Sequence, residues 1–250
     1  MKNKIGFISL GCCKNLVDAE RMMTLLAKNG YQITGDADKS DLVVINTCGF
    51  LNSAVKESMD TIGEMLDSGK RVLVTGCLAA RDEFIKEGFA GSDGIKAIKR
   101  AQDYDGVLSA IKEILPLGIK MPECAYGDLE FPGLKLTPPH YGYIKISEGC
   151  SNKCSFCAIP ALRGPMNSRP VDDVLKEAYR MAERGMKEII IVAQDTMRYG
   201  RDINYVAREF RGKIFKSDIF SLIDGLKDID AWVRLHYLYH IPTLQNSFLS

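Results

Sequence analysis

The stretch GCSNKCSFC, residues Gly149–Cys157, says most about the fold of this protein. Its three cysteines follow a C-x3-C-x2-C spacing, which is hard to explain as core packing. Three thiolates at this spacing can bind three irons of a cubane iron–sulfur cluster. The fourth iron is then open to an outside molecule that coordinates it and accepts an electron. We therefore interpret Cys150, Cys154 and Cys157 as cluster ligands.

Two other uses of closely spaced cysteines fit less well. A structural zinc site usually has four protein ligands, and the nearest upstream histidine is His140. Disulfides belong mainly to exported proteins, and Ile5–Leu10 is too short for the apolar region of a signal peptide. Zinc remains the alternative. We expect a cytoplasmic protein whose eight cysteines serve metal or redox chemistry.

Length and composition permit one large domain or two ordinary ones. The chain has 250 residues, of which 46% are hydrophobic, enough for a packed core. Its net charge is +1, from 33 basic and 32 acidic residues, so overall charge does not indicate a nucleic-acid-binding protein. The longest apolar runs, such as Leu42–Ile45 and Ile189–Ala193, are strand-sized, and no transmembrane helix is predicted.

The first half of the chain alternates strands with helices. The predicted strands are residues 4–10, 41–46 and 71–75, and the predicted helices are 16–28, 53–66, 81–87 and 104–115. Asn15 is expected to cap the first helix, with Asp18 near its positive end. This alternation predicts an α/β fold with a parallel sheet covered by helices.

Three cysteines follow three of these strands. Cys12 comes after the first strand, Cys48 after the second and Cys77 after the third. The carboxyl ends of parallel strands form the ligand-binding edge of an open sheet, so the three thiols are expected to meet there. A glycine precedes or follows each one, which lets backbone approach a bulky inorganic group. We predict a second cluster with three thiolate ligands.

The alternative for this set is three ordinary buried cysteines, because free cysteine is among the most buried residue types. Core cysteines are expected inside strands or on helix faces, whereas these three follow strand ends. Cys13 and Cys124 are interpreted as non-ligands: Cys13 would point elsewhere in an extended turn, and Cys124 lies in a linker-like stretch.

A stretch rich in proline and glycine, residues 116–140, separates the two halves. We predict a first domain at 1–125, a linker at 126–140 and a second domain at 141–250. In the second domain the predicted strands are 143–147, 188–193 and 232–237, and the predicted helices are 170–184 and 217–227. This repetition is typical of a barrel of βα units, of which about three fit.

With both cysteine sets in view, the sequence resembles the methylthiotransferases, a family of radical S-adenosylmethionine (SAM) enzymes. The resemblance covers residues 4–240. The motifs that carry it are Ser9–Cys12 with Lys14, Asn15 and Asp18, then Asn46–Cys48, Gly76–Cys77, Ser147–Cys150 with Cys154 and Cys157, Arg163–Gly164 and Ser168–Pro170. The sequence departs from the family at Cys13, where proline is usual, and after Tyr239.

The resemblance implies an N-terminal cluster-binding α/β domain followed by a partial radical SAM barrel, incomplete in this chain. The second half of the family's barrel and its C-terminal β-barrel domain are expected to be absent, as in a truncated chain. It also implies two [4Fe-4S] clusters and SAM as cofactors. One SAM would give a methyl group to a sulfur on the first cluster, and another would yield the 5′-deoxyadenosyl radical.

Two branches of the family differ in substrate. One modifies adenosines in tRNA, and the other modifies the β-carbon of an aspartate in small-subunit ribosomal protein S12. The segments that favour the ribosomal branch are Lys14–Asp18, Ser147–Gly149, Val192–Thr196 and Arg234–Tyr237. An electron donor such as flavodoxin or ferredoxin, and a sulfur donor, are implied as partners, and no membrane. The remaining alternative is a truncated, non-catalytic iron–sulfur protein.

Five further residues are weaker candidates for cofactor binding. Phe156 would shield the cluster or be a plain loop residue; Glu148 and Arg163 would contact polar ends of SAM or form an ordinary surface ion pair. Gln194 and Asp195 follow a strand on the expected active face. The basic stretch 198–216, with six basic and two acidic residues, is interpreted as a solvated helix-and-loop surface rather than an RNA-binding one.

Overall fold

The computed structural model describes residues 3–118 and 123–239, and it contains two compact units. The first unit holds the described residues up to Leu136 together with Lys153–Gly164. The second holds Thr137–Asn152 and the described residues from Pro165 onwards. The domain boundaries predicted from the sequence stay a prediction. Residues 240–250, where the departure from the family falls, lie outside the described residues.

Strands and helices alternate along the chain. In order they are β1 (Lys4–Ser9), α1 (Cys13–Lys28), β2 (Gln32–Thr34), β3 (Leu42–Thr47), α2 (Asn52–Asp67), β4 (Val72–Gly76), α3 (Asp82–Gly88), β5 (Ile95–Ile98), α4 (Tyr104–Ile114), β6 (Tyr141–Lys145), β7 (Ser147–Glu148), α5 (Ile159–Arg163), β8 (Asn167–Ser168), α6 (Val171–Glu183), β9 (Glu188–Val192), β10 (Ala207–Phe210), β11 (Lys213–Lys216), α7 (Ile219–Leu226) and β12 (Trp232–Leu235). Short 3-10 turns lie at Leu78–Arg81, Tyr126–Asp128, Thr196–Arg198 and Arg201–Ile203.

The sheet of the first unit is parallel throughout, with strand order β2-β1-β3-β4-β5. Alternate residues of β3 face opposite sides of it. Leu42 and Val44 pack with α1 and α4, whereas Val43 and Ile45 pack with α2 and α3. Burial on both faces is typical of parallel sheets, which need helices on each side. The predicted α/β fold with a parallel, helix-covered sheet is confirmed.

The start of α1 differs from the prediction. The helix begins at Cys13, and Cys12 occupies the capping position in an extended conformation. Asn15 is therefore inside the first turn rather than at the cap. Its amide is fully buried and donates to the carbonyl oxygens of Leu10 (3.0 Å) and Thr47 (2.9 Å). The expected extended turn at Cys13 is also wrong, because Cys13 is the first helical residue.

The described part of the predicted linker packs along the first unit. The Tyr126 ring stacks on Tyr104 with 4.2 Å between centroids. Further on, Lys135 forms an ion pair of 2.7 Å with Glu20 of α1, and the backbone N–H of Leu136 donates to the same carboxylate at 2.9 Å. The prolines and glycines thus interrupt helices and strands in this stretch, yet the stretch still packs against the first unit.

The second unit contains a parallel sheet with strand order β12-β9-β6. Its core lies between these strands and the helices α6 and α7, with Ile144 and Ile191 from the strands and Leu175 and Leu222 from the helices. This is the predicted repetition of βα units.

The basic stretch 198–216 contains an element that the sequence analysis missed. β10 and β11 form an antiparallel hairpin, and Arg211 and Gly212 at its turn have φ values of 50° and 77°. Most of the hairpin is solvent-exposed, as expected, but the predicted helix is limited to 3-10 turns. Positive φ at both turn residues is the geometry of a two-residue type I′ hairpin turn, and Gly212 is its one sequence signal here.

Candidate functional site

Cys12, Cys48 and Cys77 follow three neighbouring strands of the first sheet. β1, β3 and β4 lie side by side and run parallel, so their carboxyl ends share one edge. Cys12 caps α1, Cys48 follows β3 directly and Cys77 follows β4 directly. Cys77 is buried, and the other two are half-buried. The three cysteines therefore lie at the same edge of the sheet, each after a different strand.

Glycines at this edge allow the backbone to pass close to the cysteines. Gly11 has φ +89°, and a Cβ built there would lie 2.8 Å from Cys48 Cβ. A Cβ at Gly49 would lie 2.8 Å from the backbone nitrogen of Leu78. Any side chain at these positions would displace a cysteine-bearing loop. The close neighbours of these glycines are protein atoms, so the predicted approach of backbone to an inorganic group stays a prediction.

A buried polar network lies behind the thiols. Arg163, at the end of α5, donates from Nε to Cys77 Sγ at 3.2 Å and from Nη1 to Asp18 Oδ2 at 2.9 Å. Its Nη2 donates to Asn15 Oδ1. Tyr104 donates from its hydroxyl to the other oxygen of Asp18 at 2.7 Å. Arg163, predicted to contact SAM or a surface partner, therefore lies buried beside Cys77.

Burial and charge act against each other on Cys77. Burial raises the pKa of its thiol, whereas the guanidinium of Arg163 and its hydrogen bond act to lower that pKa. The neighbouring Cys48 and Asp18 act in the same direction as burial and also raise this pKa. A ligand must be a thiolate to bind metal, and the positive charges of Arg163 and Lys14 both favour the Cys77 thiolate.

The three cysteines of the second motif are divided between the two units. Cys150 is buried in the second unit, where its sulfur accepts from the backbone N–H of Asn152 at 3.5 Å. Cys154 and Cys157 belong to the first unit, and the N–H of Cys157 donates to the carbonyl of Cys154 at 3.1 Å. Phe156, between them, is 90% exposed. Their role as ligands stays a prediction.

Polar side chains collect at the strand ends of the second unit. Gln194 donates from Nε2 to Glu148 Oε1 at 2.9 Å, and Asn152 donates from Nδ2 to Asp195 Oδ2 at 2.7 Å. Glu148 also forms an ion pair with Lys145. Yet three buried oxygens here have no hydrogen-bond partner among the described residues: Ser147 Oγ, Gln194 Oε1 and Asp195 Oδ1. Such atoms are costly unless a ligand or water satisfies them.

Within residues 3–118 and 123–239, no three His, Cys, Asp or Glu side chains converge on a point that would hold one metal ion. A cubane cluster does not require this, because each thiolate binds a different iron. Cys124, interpreted as a non-ligand, directs its thiol to the carbonyl of Ala125.

Asn15, Asp18 and Ser147 belong to these sites, although the sequence analysis gave them no binding role. The available signal was their position: Asn15 and Asp18 lie three residues apart just after Cys12, which places them on one helix face. Ser147 directly precedes Glu148 and follows a strand.

Two family models match the chain. Residues 4–95 match the uncharacterized protein family UPF0004, and residues 144–234 match the radical SAM superfamily. The first match contains Cys12, Cys48 and Cys77, and the second contains Cys150, Cys154 and Cys157.

Curated relatives carry both parts in one chain. The ribosomal protein uS12 methylthiotransferase RimO of Stenotrophomonas maltophilia (strain K279a) is 48% identical over 240 residues, which are 96% of this chain and 51% of that protein. The chain is thus similar to methylthiotransferases over almost its whole length, and it contains a match to the radical SAM superfamily. The methylthiotransferase RimO of Xanthomonas campestris pv. campestris (strain 8004) is 46% identical over the same length. The chain spans about half the length of the methylthiotransferases that it matches.

Solved structures show the same fold at low sequence identity. The radical SAM methyltransferase TsrM of Kitasatospora setae, with cobalamin and a [4Fe-4S] cluster bound, aligns with a TM-score of 0.54 and 15% identity over 82% of this chain and 51% of that one. A second structure of TsrM, with tryptophan and a SAM analogue, gives 0.52. The expected α/β domain followed by part of a radical SAM fold is confirmed. In its described residues, no helix has the length and apolarity needed to span a membrane.

Proposed function

We propose that this chain is a radical SAM methylthiotransferase that adds a methylthio group to the β-carbon of an aspartate in ribosomal protein S12. The observation that carries the proposal is the presence of both cysteine sets in a chain 48% identical to an enzyme of that name. An unactivated C–H bond has no acidic proton, so acid–base side chains alone would not suffice, and radical chemistry meets the need.

We assign one [4Fe-4S] cluster to Cys12, Cys48 and Cys77 and another to Cys150, Cys154 and Cys157. The shared strand edge of the first three, with Gly11 packed close to Cys48, fits a bulky inorganic group. Bound clusters would supply the electron for reductive SAM cleavage and a site for the sulfur that is transferred. The protein's own contribution is to fix the thiolates and to exclude water around buried Cys77 and Cys150.

The polar strand ends of the second unit are the proposed SAM site. SAM carries an ammonium group and ribose hydroxyls, all of which are hydrogen-bond donors. The unpartnered atoms Gln194 Oε1 and Asp195 Oδ1 are acceptors, and Ser147 Oγ can accept or donate. Glu148 holds Gln194 in place through its 2.9 Å hydrogen bond. A donor-rich ligand would therefore satisfy groups that the protein leaves unsatisfied.

The same proposal includes the partners and the compartment. Ribosomal protein S12 would be the substrate, in the cytoplasm, with an electron donor such as flavodoxin or ferredoxin and a separate sulfur donor. Phe156, 90% exposed between two cluster ligands, is the residue we assign to shielding the second cluster once SAM is bound.

The test is anaerobic reconstitution followed by reduction in the presence of SAM. We expect 5′-deoxyadenosine from this chain and none from the Cys150→Ala/Cys154→Ala/Cys157→Ala variant. Mass spectrometry of added S12 and of added tRNA then identifies the substrate, with methylthiolation expected on the aspartate of S12 alone. Full iron content without 5′-deoxyadenosine would favour the non-catalytic iron–sulfur protein, and modified tRNA would favour the other branch.

A further inference from the structure

The guanidinium of Arg163 is fixed on all sides beside the first set of cysteines. Its three nitrogens donate to Cys77 Sγ, Asp18 Oδ2 and Asn15 Oδ1. Only 4% of the Arg163 side chain is exposed, and none of Asp18. The backbone carbonyl of Arg163 accepts from Gln102 Nε2 at 2.8 Å, which holds the end of α5 as well. The Nε–H of the guanidinium therefore has one orientation, toward the sulfur.

Stability alone does not account for this arrangement. A buried ion pair loses its hydration, and apolar residues of similar volume often fill such a site at equal or greater stability. Asp18 is held by Tyr104 as well as by Arg163, so its carboxylate is positioned before any cluster binds. Cys77 Sγ, which the guanidinium contacts at 3.2 Å, also belongs to the proposed cluster site.

We infer that Arg163 is a positioning residue for Cys77, held by Asp18 and Asn15, and that it raises the reduction potential of the cluster bound by Cys12, Cys48 and Cys77. This inference rests on the proposed function. Reduction adds one electron from an outside donor to the cluster, so the reduced form is the more negative one. An N–H···S hydrogen bond and a buried positive charge both stabilise that form relative to the oxidised one. The same bond holds the Cys77 sulfur in place for iron.

The experiment uses a parent chain with Cys150→Ala/Cys154→Ala/Cys157→Ala, so that any iron belongs to the first cluster. Arg163→Met removes the charge and the donors at similar volume. Asp18→Asn/Arg163→Met removes the whole ion pair and leaves no buried charge unpaired. Arg163→Lys keeps the charge, but its single nitrogen cannot reproduce all three contacts. The control is Glu20→Gln/Lys135→Met, which removes another ion pair of the same unit, with Glu20 buried and Lys135 half-buried.

Two quantities are measured: the midpoint potential, from the visible absorbance in a mediated redox titration, and the rate of iron release to a chelator. We expect a lower potential and several-fold faster release in both Arg163→Met variants, an intermediate result in Arg163→Lys, and parent values in the control. Circular dichroism checks folding. If both Met variants fail to fold, Arg163→Lys decides by the same two readouts.

Parent values for potential and iron release in a folded Arg163 variant would overturn the inference. A shift of equal size in the control would overturn it too, because the effect would then not be specific to Cys77. A parent chain that binds no iron is a different outcome, since it contradicts the proposed function and its cluster assignment.

Discussion

The polar groups at the carboxyl-end edges of the two sheets differ in how completely they are hydrogen-bonded within the protein. In the first unit, the polar groups next to the cysteines are hydrogen-bonded within the protein. Asp18 accepts from Arg163 and from Tyr104, and Asn15 donates to two backbone carbonyls. The exception is Asn46 Oδ1, a buried oxygen that has no hydrogen-bond partner among the described residues. In the described part of the second unit, Ser147, Gln194 and Asp195 each leave a buried oxygen without a partner.

The difference matches the two roles that we propose. A resident cluster needs thiolates held rigidly by a network that is complete without it, and second-shell hydrogen bonds do this in metal sites. A cosubstrate that enters and leaves needs groups that only it satisfies. The edge of the first sheet thus fits a cluster that stays bound, and the edge of the second sheet fits a cosubstrate that binds and leaves.

The largest effect is expected from breaking the hydrogen-bonded network around Asp18 and Arg163 in the first unit. Asp18→Ala leaves Arg163 buried and unpaired, which should lower the free energy of unfolding by about 3–5 kcal/mol. The matched variant Asp18→Asn/Arg163→Met should lose far less, because no charge remains buried. Urea unfolding followed by amide hydrogen exchange in α1 measures both. Equal losses in the two variants would contradict a completed network.

The next effect concerns the close approach at Gly11. Gly11→Ala strains a positive φ and pushes a methyl group toward Cys48, so iron bound by the intact chain should fall from about eight atoms to about four. Gly69→Ala is the control, since Gly69 has φ +70° with nothing within 4 Å. It should cost about 1–2 kcal/mol of strain and keep all its iron. Loss of iron in both variants would show that backbone strain alone is responsible.

A third pair of variants tests the edge of the second unit. Ser147→Ala removes an unsatisfied buried hydroxyl, so stability should be unchanged or higher while SAM binds several-fold more weakly. Ser168→Ala removes a hydroxyl that binds Asp202 at 2.6 Å, and it should cost about 1–3 kcal/mol. Thermal unfolding and calorimetric titration with SAM separate the two quantities. Destabilisation by Ser147→Ala would mean that its hydroxyl is already satisfied in the protein.

The smallest expected effect is a loss of stability at alkaline pH. Burial raises the pKa of Tyr31, whose hydroxyl donates to the Leu115 carbonyl at 3.0 Å. The stability that its neutral form contributes is thus present below the unfolded pKa of about 10 and is lost as pH rises above it. Tyr31→Phe should cost about 1 kcal/mol at pH 8 and less at pH 11. A difference that does not change between these pH values would exclude this titration.

Much of the fold followed from sequence because strand–helix alternation is a local pattern. The strands before Cys12, Cys48 and Cys77 were predicted, and their parallel pairing places these residues at one edge. The pairing also explains why the cap at Asn15 was wrong. The Asn15 amide nitrogen donates to the carbonyls of Leu10 and Thr47, and its oxygen accepts from Arg163, so tertiary contacts overrule a local capping rule.

The role of Arg163 was beyond sequence reasoning for a similar reason. It lies 145 residues from Asp18 and 86 from Cys77, and no local pattern reports a contact at that separation. The short motif Arg163–Gly164 near the second cysteine set suggested SAM instead. Only the path of Lys153–Gly164 within the first unit connects this arginine to the first set.

The most direct test of two separate cluster sites is iron and sulfide content after anaerobic reconstitution, in this chain and in Cys150→Ala/Cys154→Ala/Cys157→Ala. We expect about eight irons and eight sulfides, falling to about four of each, as for two cubane clusters. About four irons falling to none would mean that Cys12, Cys48 and Cys77 hold no cluster, and it would contradict the proposed methylthiotransferase chemistry.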